Sequence, residues 1–171
     1  MSWLSRLLSK REDDRAPLRP LWNRVVELGR APDWYARCGV ADTIDGRFDV
    51  ITLVLALVLL RMEREEALVQ PSVLLNEIFV EDMEGQLRQR GIGDLVVGKH
   101  VGRLMGALGG RLGALREALP LGEVAVREVA ERNVSLGEGG DAGCVARRLI
   151  GLWSSIDALP ANAILVGSIP G

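Results

Sequence analysis

Residues 50–60, VITLVLALVLL, form the longest apolar run in the chain, and only Thr52 breaks it. The run is about half of the ~20 residues that a membrane-spanning helix requires. Arg47, Asp49 and Arg61 bound it, so it reads as the middle of a buried helix and not as a span. From Asp45 to Glu66 the segment is apolar on nearly all sides at its centre and charged at both ends. Such a helix belongs at the core of a bundle, and it needs amphipathic helices around it.

The remaining chain supplies them. Residues 11–20 (REDDRAPLRP) are charged, carry Pro17 and Pro20, and read as a linker. A helix fits 21–28, with Trp22, Val25, Val26 and Leu28 apolar, and ends near Gly29. A short helix restarts over 32–35, and Cys38-Gly39-Val40 closes it. Asp42 or Thr43 caps the central helix, since a short polar side chain accepts from first-turn amides. Pro71 and Ser72 start the next helix, which runs to about Arg90. Its apolar positions Val73, Leu74, Ile78, Phe79, Met83 and Leu87 are spaced for one face. Gly91 supplies a left-handed C-cap and Asp94 the following N-cap.

Between 95 and 119, Val97, Val101, Leu104, Leu108, Leu112, Leu115 and Leu119 fall three or four apart and form one stripe. On another face Gly98, Gly102, Gly106 and Gly110 recur every four residues. An interior glycine costs about 1 kcal/mol of helix propensity relative to alanine, so this repeat predicts a second helix backbone packed closely there. Pro120 ends the helix. Amphipathic segments over 122–134 and 142–159 follow, and the apolar tail 161–171 is expected to lie extended over the body. No segment alternates like a paired sheet. The expected architecture is all-α: a single-domain bundle of about six or seven helices. Residues 1–19 form an amphipathic N-terminal segment and linker, 20–160 the helical domain, and 161–171 a C-terminal tail.

The chain has 171 residues, 48% of them apolar and 26% charged, with a formal net charge of −2. That composition suits one globular domain. It lacks the basic surplus that grips nucleic acid without regard to sequence. Cys38 and Cys144 form no CxxC pair and His100 is the single histidine, so a zinc site is not expected. Two cysteines in this setting predict unpaired, mostly buried thiols in a reducing compartment. The N-terminus lacks the features of a secretory signal. On a helix, Trp3, Leu4, Leu7 and Leu8 share a face with Arg6, Lys10 and Arg11 around it, which suits a docked terminal helix or a weak membrane-surface anchor.

Residues 93–99, GDLVVGK, satisfy the G-x-x-x-x-G-K pattern of a phosphate-binding loop. His100 stands where that motif needs Ser or Thr, and the polar helix end EGQLRQR precedes it instead of a buried strand. No nucleotide is expected. Asp42, Asp45 and Asp49, with Glu81 and Asp82 on the next helix, raise a second possibility. Carboxylates on facing helices, Asp45, Asp49, Glu81 and Asp82 above all, could hold magnesium for a diphosphate substrate, as in helical isoprenoid enzymes. No DDxxD repeat supports it, and helix caps plus ion pairs to Arg47, Arg88 or Lys99 account for these acids more simply. With one histidine and no Glu-x-x-His pair, no catalytic, metal-binding or cofactor-binding residue is assigned.

Three blocks carry a resemblance. YARCGVADTIDGRFDVITLVLALVLLRM (35–62) is similar to the Tyr…Gly-Val-x-Asp-Thr-x-Asp-Gly-Arg-Phe opening of a long apolar helix in the ubiquinol–cytochrome c chaperone family. IFVEDMEGQLRQRGIGDLVVGKHV (78–101) resembles that family's Phe-x-Glu-Asp-Met…Arg-x-x-Gly-x-Gly-Asp-x-x-Val-Gly-Lys signature. GRLGALREAL (110–119) and Arg132-Asn133 are a weaker third block. Cys38 departs from a commoner aliphatic residue.

The resemblance implies a non-enzymatic assembly chaperone without a cofactor of its own. It would bind newly made cytochrome b and protect it during haem insertion and early assembly of the respiratory complex. It also implies an apolar or amphipathic groove offered to a membrane-protein client. The Trp3, Leu4, Leu7 and Leu8 face suits a cytoplasmic protein peripheral to the inner membrane. The signature positions here are Tyr35, Asp42, Thr43, Asp45, Gly46 and Arg47 in the first block, and Glu81, Asp82, Gly91, Gly93, Asp94, Gly98 and Lys99 in the second. Asp94 is expected to cap and Gly91 and Gly93 to turn the chain. Arg47 and Lys99 are expected to pair with Glu81 and Asp82 between adjacent helices, setting helix register or meeting the client.

Overall fold

A computed structural model describes residues 13–89, 91 and 93–171, the side chains of Asp94 and Leu95 excepted. The N-terminal face of Trp3, Leu4, Leu7 and Leu8 lies outside the described residues. Six helices of 11 to 25 residues and two of five make up the described chain. They are α1 (Arg19–Gly29), α2 (Pro32–Ala36), α3 (Ile44–Met62), α4 (Glu66–Gln89), α5 (Asp94–Ala118), α6 (Glu123–Asn133), α7 (Ala142–Asp157) and α8 (Ala161–Leu165). The all-α bundle is as expected from the sequence.

α3 is the axis of the bundle. Thr43 caps it, its Oγ1 accepting from the Gly46 amide at 3.1 Å. Every residue from Val50 to Leu60 is buried, because α1, α4, α5 and α7 all pack on this helix. Thr52, the one polar break in the run, is fully buried and bonds back to the Phe48 and Asp49 carbonyls at 2.9 and 3.0 Å. Gly46 must be glycine at this first turn, since a Cβ there would collide with the Ala41 carbonyl.

Several expectations are corrected. α4 begins at Glu66, and Pro71 lies inside it. The carbonyl that Pro71 leaves without its helical partner belongs to exposed Ala67, where water can replace the bond. The extra turn buries Leu68 completely. α5 starts at Asp94 with Gly93 in the cap position, one residue before the expected cap. The expected linker folds onto the body from residue 13 onwards: Leu18 is buried, and Arg15 and Arg19 reach Glu81 at 3.6 and 3.1 Å. The tail opens with α8 instead of running extended throughout. It buries Ile164 and Ile169, and Arg24 Nε donates to the Ile169 carbonyl at 2.8 Å.

The glycine repeat of α5 also differs. A Cβ on Gly98, Gly102, Gly106 or Gly110 would meet nothing within 4 Å, and all four residues are exposed. The leucine stripe does pack inward, through Val97, Leu108 and Leu115. The glycines therefore face away from the bundle and bring no described helix close.

The cysteines are joined. Cys38 and Cys144, 106 residues apart, form a disulfide across a Cα–Cα distance of 5.2 Å, so the expectation of free thiols is wrong and the argument for a reducing compartment falls with it. Sequence separation concealed the pair because two loops meet here. Residues 38–41 run beside 135–141 with Ala41 N–H donating to Ser135 O (2.8 Å), Gly137 N–H to Gly39 O (2.8 Å) and Asp141 N–H to Cys38 O (2.9 Å). Gly39 adopts φ +71° and passes so close to Gly140 that a Cβ would lie 2.6 Å from its Cα.

Candidate functional site

The buried charge of the bundle sits where α3, α5 and the loop after α6 meet. Arg111 of α5 donates to the Asp49 carboxylate, to the Thr52 hydroxyl and, at 3.0 Å, to the Asn133 carbonyl. The other Asp49 oxygen accepts from the Ser135 amide at 2.9 Å and its hydroxyl at 2.7 Å. A carboxylate and a guanidinium removed from water need such partners, and of the Arg111 nitrogens Nε alone is buried without one among the described residues. The first and third sequence blocks thus meet through one ion pair, Asp49 coming from one and Arg111 and Asn133 from the other. Arg111 also places its guanidinium carbon 5.4 Å from the centre of the Phe48 ring.

Phe48 carries that support to the surface. With Ile51 of α3, Met83 and Leu87 of α4 and Leu104 of α5, it forms the apolar floor of an open groove of about 420 Å³. Arg30, Asp45, Arg47, Gln86 and His100 make the rim. Ile44 stands at the mouth with 59% of its surface exposed. His100 Nδ1 lies 2.8 Å from an Arg103 nitrogen, which fixes its ring at the edge of the hollow.

The expected site residues are divided between this groove and purely structural roles. Asp45 and Arg47 line the groove. Arg47 pairs with Asp42 at 2.7 Å, a contact within the start of α3 that replaces the expected pairing with Glu81 or Asp82. The same hydrogen bond holds the Asp42 carboxyl below the usual range and raises the arginine. Glu81 takes Arg19 and Arg15, and Asp82 accepts from Gln86 at 3.2 Å. Arg88 pairs with Glu84 at 3.3 Å. Tyr35 donates to the Gly29 carbonyl at 2.8 Å and ties α2 to the end of α1, and partial burial pushes its phenol up. Thr43 is the cap of α3 already described. Lys99 is exposed on α5. Gly98 and Lys99 lie within that helix, so residues 93–99 form a helix start where a phosphate loop would need a strand before it.

The acids do not converge. Asp49 is held in the core by Arg111 while Glu81 and Asp82 border a separate hollow with Arg19 and Trp22. Among the described residues no three His, Cys, Asp or Glu side chains are placed to hold a metal, so the arrangement of acids expected for a magnesium–diphosphate enzyme is not formed. Sequence reasoning missed Arg30, Gln86 and Arg111. The signal for Arg111 was present, because a charge at the edge of the apolar run, Asp49, demands an opposite charge from elsewhere.

Residues 36–169 match the family described as ubiquinol-cytochrome C chaperone. The fold is similar to the crystal structure of the Cbp3 homolog from Brucella abortus. The TM-score is 0.78 at 26% identity, over 97% of this chain and 94% of that one. No curated protein matches the sequence.

Proposed function

The chain belongs to the ubiquinol-cytochrome C chaperone family, and we propose that it is a non-enzymatic assembly chaperone that binds newly made cytochrome b. One observation supports this most directly. Four of the five floor residues of the groove, Phe48, Ile51, Met83 and Leu87, come from the segments that carry the family signature, with Leu104 completing it, and it leaves apolar surface open beside charged rims. An apolar floor with a polar rim suits reversible capture of a short apolar segment of an unfinished membrane protein. The dispersal of Asp45, Asp49, Glu81 and Asp82 weighs against diphosphate chemistry.

No helix among the described residues is long and apolar enough to cross a membrane. We place the chaperone on the cytoplasmic surface of the inner membrane, held by Trp3, Leu4, Leu7 and Leu8. In that setting the disulfide faces a reducing thiol pool; Cys38 is fully buried while Cys144 is only partly so, which leaves the Cys144 sulfur the more open to attack. Deletion of the gene in its host, read by haem staining and native gels, tests the function: the cytochrome bc complex should fall. Normal levels of the complex refute the reading. Liposome flotation tests the membrane contact, full-length protein floating and a version beginning at Pro20 remaining in the dense fraction; equal flotation removes it.

A further inference from the structure

The groove's charges specify more than apolarity. Two cations, Arg30 and Arg47, and one acid, Asp45, stand on its rim. Asp45 lies in the first turn of α3, where the helix dipole already favours its charge. Arg47 shares its guanidinium with Asp42. Arg30 follows the last residue of α1, is exposed, and pairs with no described residue. It is a cation at the edge of an apolar hollow with its hydrogen-bond donors available. Asp45 excepted, the rim therefore favours anionic groups beside an apolar ligand.

The dimensions narrow the ligand. About 420 Å³ lies within the roughly 300–1,000 Å³ of pockets that enclose a compact ligand. It admits a few side chains and not the whole circumference of a helix. Floor residues come from three helices, α3, α4 and α5, giving a trough that side chains at i, i+3, i+4 and i+7 of a docked helix can enter together.

We propose that the groove binds one amphipathic helix of the client, its apolar face on Phe48, Ile51, Met83, Leu87 and Leu104 and acidic side chains on the flank that meets Arg30 and Arg47. This rests on the chaperone reading and adds the chemistry of the bound segment. A basic flank at the α1 end of the groove is disfavoured by Arg30, the rim cation with no described partner. Arg47 is already paired with Asp42, so the groove discriminates among apolar helices by the charge that meets Arg30.

The experiment uses the full chain and two fluorescein-labelled helical peptides with identical Leu/Phe faces, flanked by Glu or by Lys, read by anisotropy. The Glu-flanked peptide should bind about tenfold tighter at low salt, with the ratio shrinking as salt screens the pair. Arg30→Glu should abolish or invert that preference while leaving the melting temperature unchanged. Leu104→Ser should weaken both peptides alike, and Leu87→Gln provides a second test of the floor should the first variant unfold. Equal binding of the two peptides, or an unchanged preference in R30E, overturns the proposal. So does oleate binding with neither peptide bound, which assigns the groove to a lipid. A charge preference that holds while the deletion strain assembles normal cytochrome bc complex sinks the chaperone reading and leaves the groove's specificity standing.

Discussion

Asp49 and Arg111 stand 62 residues apart in sequence and form an ion pair whose side chains are 11% and 8% exposed. The pair joins the central helix to α5, and through Phe48 it supports the floor of the groove. Structure and proposed function therefore depend on one buried contact. Its individual groups are costly to strand, because each was desolvated on the expectation of the other.

Breaking the pair from one side should be severe. Asp49→Ala leaves a buried guanidinium with only neutral partners, and Arg111→Ala leaves the carboxylate with Ser135 alone. Each should cost about 3–5 kcal/mol in urea denaturation. The double variant Asp49→Leu/Arg111→Met should recover much of that loss, since no charge remains unpaired. A double variant no better than the worse single would show that the pair is not the unit of stability.

The disulfide should contribute strongly. It closes a loop across 106 residues, and chain-entropy reasoning assigns about 4–5 kcal/mol to a loop of that length. Cys38→Ala/Cys144→Ala should therefore melt well below the parent, and reductant should lower the parent's melting temperature and not the variant's. Equal melting of parent and variant contradicts the staple. Alkylation of unfolded, unreduced protein should label no cysteine.

Glycine replacements should divide by position. Gly102→Ala and Gly106→Ala meet no neighbour and lie in a helix interior. Each should stabilise the protein by about 0.4–1 kcal/mol, mainly by restricting the unfolded chain. Gly46→Ala should destabilise instead, since its methyl group is driven into the Ala41 carbonyl. Thermal melts of the three variants check the contrast, and a loss of stability in G106A would show an interior contact on that face after all.

Acid should loosen the start of α7. The amide of Cys144, followed by that of Gly143 and by the Arg147 guanidinium, holds the Asp141 carboxyl below its ordinary value. A depressed carboxyl stabilises the fold above the unfolded-state value of about 3.9 and loses that contribution as pH falls through its own lower value. Asp42, lowered by Arg47, acts in the same direction. Stability should therefore fall below about pH 4, and Asp141→Asn should make the acid limb shallower. An unchanged acid limb in D141N discounts the cap as a contributor.

The central helix was legible because an apolar run flanked by charges has one way to avoid water. The cap at Asp42 or Thr43 was legible because capping is local chemistry, whereas the need for glycine at 46 appeared only from its approach to the Ala41 carbonyl. The groove was harder to read. Asp45 and Arg47 were singled out, but Phe48, Leu87 and Leu104 looked like ordinary core positions, and whether such a side chain is covered depends on which helix crosses it. Pro71 misled because proline is often a helix start, while the burial of Leu68 outweighed a lost bond on an exposed turn.

The sequence by itself determined an all-α bundle around residues 50–60, the family, and the capped start of the central helix at Thr43. These follow from periodicity and short-range backbone chemistry. Only the tertiary structure decided that Asp49 meets Arg111, that Cys38 meets Cys144, that Arg47 turns to Asp42 and not to Glu81, and that the α5 glycines face outward. Those outcomes depend on which distant segments are brought together. Local pattern shows that a side chain needs a partner, and the crossing of the helices chooses it.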